Sequence, residues 1–218
     1  MSVHYDILIV HRHWPDILER AVKSIRQFSD AHIIAVDDCS PAEESVEGFW
    51  HVVKEYGLDG IRALIHSQHG ACLDMALSRS KTPWVITCDS DMIINDAKAF
   101  EVLLDKCADD VGAAGRMANN KMSALFGKFV HPAWAVWNAA AIKRHYLSFA
   151  AFTLQRGETW TFATAQFLNY RLACLGDRPW EAKDKPLKLA PVNLYDYVTH
   201  AQVWQERGGT WKEEVKLG

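Results

Sequence analysis

The stretch Trp84-Val85-Ile86-Thr87-Cys88-Asp89-Ser90-Asp91 decides the fold. It is an uncharged, largely apolar run of the kind that forms a strand buried on both faces, and it stops at two carboxylates separated by one residue. The same form recurs upstream. Ile7-Leu8-Ile9-Val10 ends in His11-Arg12-His13, Ile33-Ile34-Ala35-Val36 ends in Asp37-Asp38-Cys39-Ser40, and Ile61-Arg62-Ala63-Leu64-Ile65 ends in His66-Ser67-Gln68-His69-Gly70. Helical patterns separate these runs. Pro15 suits a first helical turn before Ile17, Leu18, Ala21, Val22, Ile25 and Phe28 on one face. Pro41 precedes Val46, Phe49, Trp50 and Val53, and a third pattern groups Cys72, Leu73, Ala76 and Leu77 before Pro83. Short strands alternating with helices predict an α/β fold: right-handed βαβ units in a mostly parallel, Rossmann-like sheet with helices on its faces.

In such a sheet, ligands bind beyond the carboxyl ends of the strands. Four successive strand ends deliver polar or ionisable groups to one edge, and two of them carry paired acids. Solvated loops explain one or two polar strand ends; four together point to a site. No Gly-x-Gly-x-x-Gly follows the first strand and no Gly-x-x-x-x-Gly-Lys-Ser/Thr occurs, so both amide cradles for phosphate are missing. A diphosphate bound here needs a cation to neutralise it, and Asp89 and Asp91 offer the site for one. Asp37 and Asp38 are then expected to be free to accept hydrogen bonds from the hydroxyls or ring N–H of a nucleoside. His11 and Gln68 stand at the same edge as further candidate contacts. His11 and His13, two apart, have no Cys or His partner motif that would make them a zinc pair.

The stretch from Asp6 through Ile25, the segment Ile33-Ile34-Ala35-Val36-Asp37-Asp38-Cys39-Ser40, and the block from Gly70 to the Asp-x-Asp of Asp89-Ser90-Asp91 resemble the nucleotide-sugar domain of family 2 glycosyltransferases. The resemblance covers about the first 95 residues closely and the rest loosely. It implies a GT-A-type fold, a nucleotide-sugar donor with UDP as the default base and GDP or dTDP open, and Mn2+ or Mg2+ as cofactor. Carried over by position, Asp37 or Asp38 binds the nucleoside, Asp89 meets ribose or metal, and Asp91 holds the metal on the diphosphate. Cys39 stands where the family's glycine is usual, and Asp74 where an asparagine is common, which puts Asp74 among the expected nucleotide contacts. Leu73 and Met75 flank Asp74, so the basic neighbour often found there is absent.

Beyond Asp91 the pattern predicts a helix through Phe100, Leu103, Leu104 and Cys107, a strand at 111–114, a polar loop from Arg116 to Lys128, a strand at 131–137 and a helix from Ala139 to Arg144. Inverting transfer needs a carboxylate that takes the proton of the attacking acceptor hydroxyl. In the family it usually lies in a Glu-Asp pair opening a helix that ends in Arg-Leu. Arg171-Leu172 is present here, but the spacing puts Thr164-Ala165 where the acids belong. Glu158, at an expected helix start, is the candidate base, with Asp177 and Glu181 in reserve. The resemblance also points to His200, after an expected strand, as a third metal ligand. Of the nine tryptophans, Trp134, Trp137, Trp160 and Trp180 fall in the half expected to bind the acceptor. Core packing accounts for most tryptophans, and stacking on a sugar is the alternative for Trp160 or Trp180.

Length and composition fit this reading. A chain of 218 residues with 49% apolar content is expected to form a single domain, 1–95 binding the donor and 96–218 the acceptor. A net charge of −3 gives no electrostatic case for nucleic acid or an acidic membrane. Five cysteines without paired spacing, no basic-apolar leader and no apolar run near 18 residues lead to the expectation of a cytoplasmic protein with reduced thiols. The acceptor class that the family favours is a growing glycan or a lipid-linked sugar. Two other readings compete: a non-catalytic nucleotide- or sugar-binding module, which would explain the missing Glu-Asp pair, and an Asp-based phosphohydrolase using Asp89 and Asp91. The second leaves Asp37, Asp38 and the three preceding units without a purpose.

Overall fold

The computed structural model describes residues 3–119, 127–156, 158–176, 184–194 and 196–200, with 152–156 and 158–162 as backbone alone. The expected βαβ series forms: β1 Tyr5–His11, α1 Pro15–Arg26, β2 Ile33–Asp37, α2 Glu43–Glu55, β3 Asp59–Arg62, α3 His69–Arg79 and β4 Trp84–Asp89. There follow β5 Met92–Ile94, α4 Lys98–Leu104, β6 Val111–Ala118, β7 Phe129–Asn138 and α5 Ala139–Arg144. The hairpin strands β8 Phe152–Arg156 and β9 Glu158–Phe162, α6 Gln166–Ala173, β10 Lys188–Pro191 and β11 Val198–His200 complete it.

Seven strands form one sheet in the order β10-β6-β7-β4-β1-β2-β3. β7 is antiparallel to both of its neighbours, and the other pairings in this sheet are parallel. Both faces are covered, so alternate residues of each central strand enter different cores. Ile7 and Ile9 pack with Leu18, Val22, Phe49 and Trp134 beneath α1, α2 and α4. Leu8 and Val10 pack with Leu73, Leu77, Trp137 and Leu168 beneath α3, α5 and α6. This is why the central strands read as continuous apolar runs without alternation. All five cysteines are free. No helix among the described residues is long and apolar enough to cross a membrane.

The third strand is shorter and earlier than its apolar residues suggest. β3 is the sheet edge and stops at Arg62, opposite Asp37, the last residue of β2; Leu64 is 90% exposed and Ile65 76%. α1 ends before Phe28, which is 38% exposed, and on α2 the buried pair is Phe49 and Val52 while Trp50 lies partly outside.

His11 belongs to the core. Its ring is 1% exposed, lies parallel to Phe49 at 5.9 Å, and has no hydrogen-bond partner on either nitrogen. The expectation that it touches a nucleotide is corrected by this packing: as the last residue of β1 it points under α2. Burial, and next the neighbouring His13, lower its pKa to about 4. The unfolded chain therefore takes up a proton between the ordinary value and about 4 that the folded chain refuses, so stability falls as pH drops through that window. Lowering pH from 7 to 5 should remove about 2 kcal/mol of stability through this ring. Urea unfolding at both pH values checks it: His11→Leu flattens the difference, and an equal pH dependence in both proteins would contradict the assignment.

Candidate active site

The carboxyl edge of the parallel strands gathers two groups of side chains. The first surrounds Asp89 and Asp91. Asp89 ends β4, and Asp91 immediately precedes β5. β5 pairs antiparallel with β11, His200 opposite Met92, and Asn95 Nδ2 donates to Thr199 Oγ1 at 2.9 Å. This small two-stranded sheet carries a residue more than a hundred positions away to the acidic turn. His200 Nε2 lies 3.0 Å from Asp91 Oδ1 and 3.8 Å from Asp89 Oδ2. One donor atom from each of Asp89, Asp91 and His200 fits within 4.8 Å of the others.

The chemistry of the three suits a divalent cation. Two carboxylate oxygens and one imidazole nitrogen are an ordinary ligand set for a first-row divalent metal. Asp89 Oδ1 is buried without a hydrogen-bond donor, an arrangement that a cation or a charged imidazole relieves. His69, at the start of α3, places Nε2 3.4 Å from that oxygen. The pKa of His200 is raised, first by its hydrogen bond to Asp91 and then, against the effect of burial, by the charges of Asp91 and Asp89. His131 joins from β7, its pKa lowered by burial, with Asp89, His200, His69 and Arg116 acting on it electrostatically. Its Nδ1 accepts a hydrogen bond from Ala133 N at 3.2 Å. Because β7 runs antiparallel beside β4, its beginning lies at the carboxyl edge. His69 and His131 were not among the expected ligands. His69 was visible as a strand-end residue; His131 becomes visible only once the direction of β7 is known.

The second group surrounds Asp37 and Asp38. Asp37 is fully buried: it accepts from Ser40 Oγ and from Ser40 N at 3.2 Å, and Arg62 Nε approaches to 3.7 Å. Asp38, 4% exposed, accepts from Ser67 N at 2.8 Å on Oδ1 and meets His66 Nδ1 at 2.9 Å with Oδ2. Both carboxylates are committed to protein donors, and the groups exposed above them are Arg62 and His66. Cys39, between the acid pair and Ser40, has φ 51°, the left-handed conformation that explains why a glycine is natural there.

Asp74 likewise serves the scaffold. Its carboxylate accepts from Ser148 Oγ at 2.5 Å and Phe149 N at 2.9 Å, and burial raises its pKa. It ties α3 to the segment after α5. Gly70 makes that approach possible, since a Cβ there would collide with the Phe149 carbonyl and come within 2.7 Å of Ala150 Cα. Gln68 is exposed at the N-cap of α3, where its carbonyl accepts from Ala71 N at 2.8 Å.

Glu158 does not open a helix. It is the first residue of β9, paired with Arg156 across the β8–β9 hairpin. The helix bearing Arg171-Leu172 is α6, and its N-cap is Ala165. α6 is fastened by Asn169, whose Oδ1 accepts from Val130 N at 3.0 Å and whose Nδ2 donates to Val130 O at 3.2 Å. Asp177, Glu181 and Trp180 lie outside the described residues, as does the side chain of Trp160. Trp134 and Trp137, 2% and 0% exposed, are core residues and are not available to an acceptor. A cavity of about 360 Å³ bordered by Trp84, Asn138, Arg144 and His145 sits at the opposite edge of the sheet, away from these groups.

Comparison with known proteins agrees with this geometry. Residues 6–166 match the family described as glycosyl transferase family 2, and the chain belongs to that family. Its fold is that of GT-A glycosyltransferases of known structure. Glucosyl-3-phosphoglycerate synthase from Mycobacterium tuberculosis, solved with Mg2+ and UDP, is similar with a TM-score of 0.59 at 12% identity, over 91% of this chain and 72% of that one. The mannosyltransferase PcManGT from Pyrobaculum calidifontis, solved with GDP-Man and Mn2+, gives 0.56 at 12% identity, over 67% and 47%. S. aureus TarS 1-349 in complex with UDP gives 0.52 at 14%, over 89% and 62%. The chain thus spans about half the length of PcManGT and under two thirds of that TarS chain. Among proteins of curated function, none matches the sequence significantly.

Proposed function

We propose that this chain transfers a sugar, a hexose by family analogy, from a nucleotide-sugar donor to an acceptor hydroxyl. Asp89, Asp91 and His200 hold a divalent cation in this reading, Mn2+ or Mg2+. The observation that carries it is the convergence of those three side chains at the carboxyl edge of a parallel sheet. When bound, the cation supplies positive charge against the departing diphosphate. His69 orients the buried oxygen of Asp89, and the Ser40 and Arg62 contacts of Asp37 shape the loop after β2. The donor is a UDP-sugar by default, with GDP- and dTDP-sugars as alternatives, and the acceptor a growing glycan or lipid-linked sugar.

An acceptor hydroxyl attacks the anomeric carbon from the face opposite the diphosphate, and a carboxylate takes its proton. Glu158, on the β8–β9 hairpin, remains the proposed base, with Asp177 and Glu181 as the other acids of this region. One observation favours a second reading, a binding module without catalysis: the N-terminus of α6 carries Ala165 where the family places its acid. Family membership argues against the phosphohydrolase alternative.

The test is release of nucleoside diphosphate from a panel of UDP-, GDP- and dTDP-sugars with Mn2+ and mixed glycan acceptors. Metal-dependent release from one donor is expected. Metal-dependent binding of a nucleotide sugar without turnover would favour the binding module, and neither binding nor release with any donor would overturn both.

A further inference from the structure

We propose that Arg12 is the residue that meets the nucleoside of the donor, and that Asp38 and His66 are positioning residues that hold it there. The inference rests on the nucleotide-sugar reading of the site. A chain of contacts joins three strand ends. Asp38, after β2, pairs through Oδ2 with His66 Nδ1 at 2.9 Å, and Arg12 Nη1, after β1, lies 3.1 Å from His66 Nε2. His66 stands in the loop after β3, four residues beyond its end.

The direction of these bonds follows from the chemistry of the groups. A carboxylate only accepts, so His66 donates Nδ1–H to Asp38. A guanidinium only donates, so Nε2 of His66 presents its lone pair to Arg12. Both requirements are met by one neutral tautomer of the ring. Asp38 is itself fixed by Ser67 N on its other oxygen, at 2.8 Å. A buried carboxylate thus fixes an imidazole, and the imidazole fixes a cation that is only partly covered.

The place of the chain in the sheet names the part of the donor that it meets. The strand order β4-β1-β2-β3 puts the metal-binding triad at the tip of β4, next to β1. Neighbouring strands are about 4.8 Å apart, so the β2 tip lies about 10 Å from the triad. A nucleoside diphosphate anchored by its phosphates at β4 reaches the tips of β1 and β2 with its ribose and base. The Arg12–His66 bridge passes over that ground, since it links the ends of β1 and β3 across Asp38. A planar guanidinium suits a nucleobase: it stacks on the aromatic face and donates in plane to carbonyl oxygens. Asp38, through His66, thereby bears on the base by way of Arg12.

Binding of UDP and of inorganic pyrophosphate, each with Mn2+, tests this by calorimetry, with GDP or dTDP in place of UDP if that is the donor base. Arg12→Ala should weaken nucleoside diphosphate binding about tenfold and leave pyrophosphate unchanged. His66→Ala should also weaken it, and Arg12→Ala added to it should cost less than Arg12→Ala alone, because both changes act on one chain of contacts. Arg12→Lys should not restore affinity, since an ammonium has no planar face. Wild-type affinity in both single variants would overturn the inference. An equal loss for pyrophosphate would also overturn it, by placing Arg12 on the phosphates. Failure of the unaltered protein to bind any nucleoside diphosphate is a different result, and it would count against the nucleotide-sugar reading itself.

Discussion

Alanine at position 91 should reduce release of nucleoside diphosphate from the donor about a thousandfold while leaving the fold intact. Asp91 is the proposed ligand whose carboxylate lies 3.0 Å from His200, and its side chain is only 17% exposed at the β4–β5 turn. Removing it leaves Asp89 and His200, too few ligands to hold a cation against a diphosphate. Charge stabilisation by a bound metal is worth several kcal/mol in the transition state, and each 1.36 kcal/mol is tenfold in rate. The melting temperature should change little, because Asp91 is a polar residue at the strand edge and belongs to neither apolar core. A chelator should abolish the activity of the unaltered protein, and Mn2+ should restore it, whereas excess Mn2+ should not rescue Asp91→Ala. Activity in Asp91→Ala within a few-fold of the unaltered protein would remove the acidic turn from the mechanism.

Trp137→Ala should act in the opposite way, through stability. Trp137 is fully buried on β7, its ring edge-on to Phe149 at 5.0 Å and 82°, and its Nε1 donates to Thr87 Oγ1 at 2.9 Å. That hydrogen bond links β7 to β4, the strand that ends at Asp89. Truncating a buried tryptophan leaves a large cavity, and here it also takes the donor from a buried hydroxyl. The expected loss is about 4 kcal/mol, or about 12 °C in melting temperature for a chain of this size. Trp137→Phe fills most of the space and should lose less. Thermal unfolding of the two variants decides it; a small effect of Trp137→Ala would mean that the ring is accessible and open to an acceptor role.

The parallel half of the fold was legible because its strands are buried on both faces and its helices show one apolar stripe each. What the pattern could not show was which apolar residues stay outside. Leu64 and Ile65 extend the apolar run of β3, but β2 has no residue left to pair with them. Strand direction was also hidden: the run at 131–137 reads alike in either sense, and only its antiparallel pairing with β4 brings His131 to the site. The β8–β9 hairpin replaced an expected helix because Glu158-Thr159-Trp160-Thr161-Phe162 alternates with period two, and β-branched and aromatic residues favour a strand.

In the site, the Asp-x-Asp turn was legible from its place after a buried strand, and His200 from resemblance alone. The burial of His11 was not legible, since a histidine at a strand end reads as solvated until α2 lays Phe49 over it. The acid pair was legible as a feature of the edge, but its contacts with Ser40, Ser67 and His66 were not. Short carboxylates beside Ser40, Ser67 and His66 satisfy themselves locally, and sequence spacing does not distinguish a carboxylate that meets a ligand from one that holds the residue that does.

Crystals grown with Mn2+ and a nucleoside diphosphate, with anomalous data collected at the manganese edge, test the central claim most directly. One manganese peak is expected about 2 Å from an oxygen of Asp91, an oxygen of Asp89 and the Nε2 of His200, with the diphosphate on its open side. Manganese elsewhere, or a nucleotide at the opposite edge of the sheet beside Trp84 and Arg144, would contradict it.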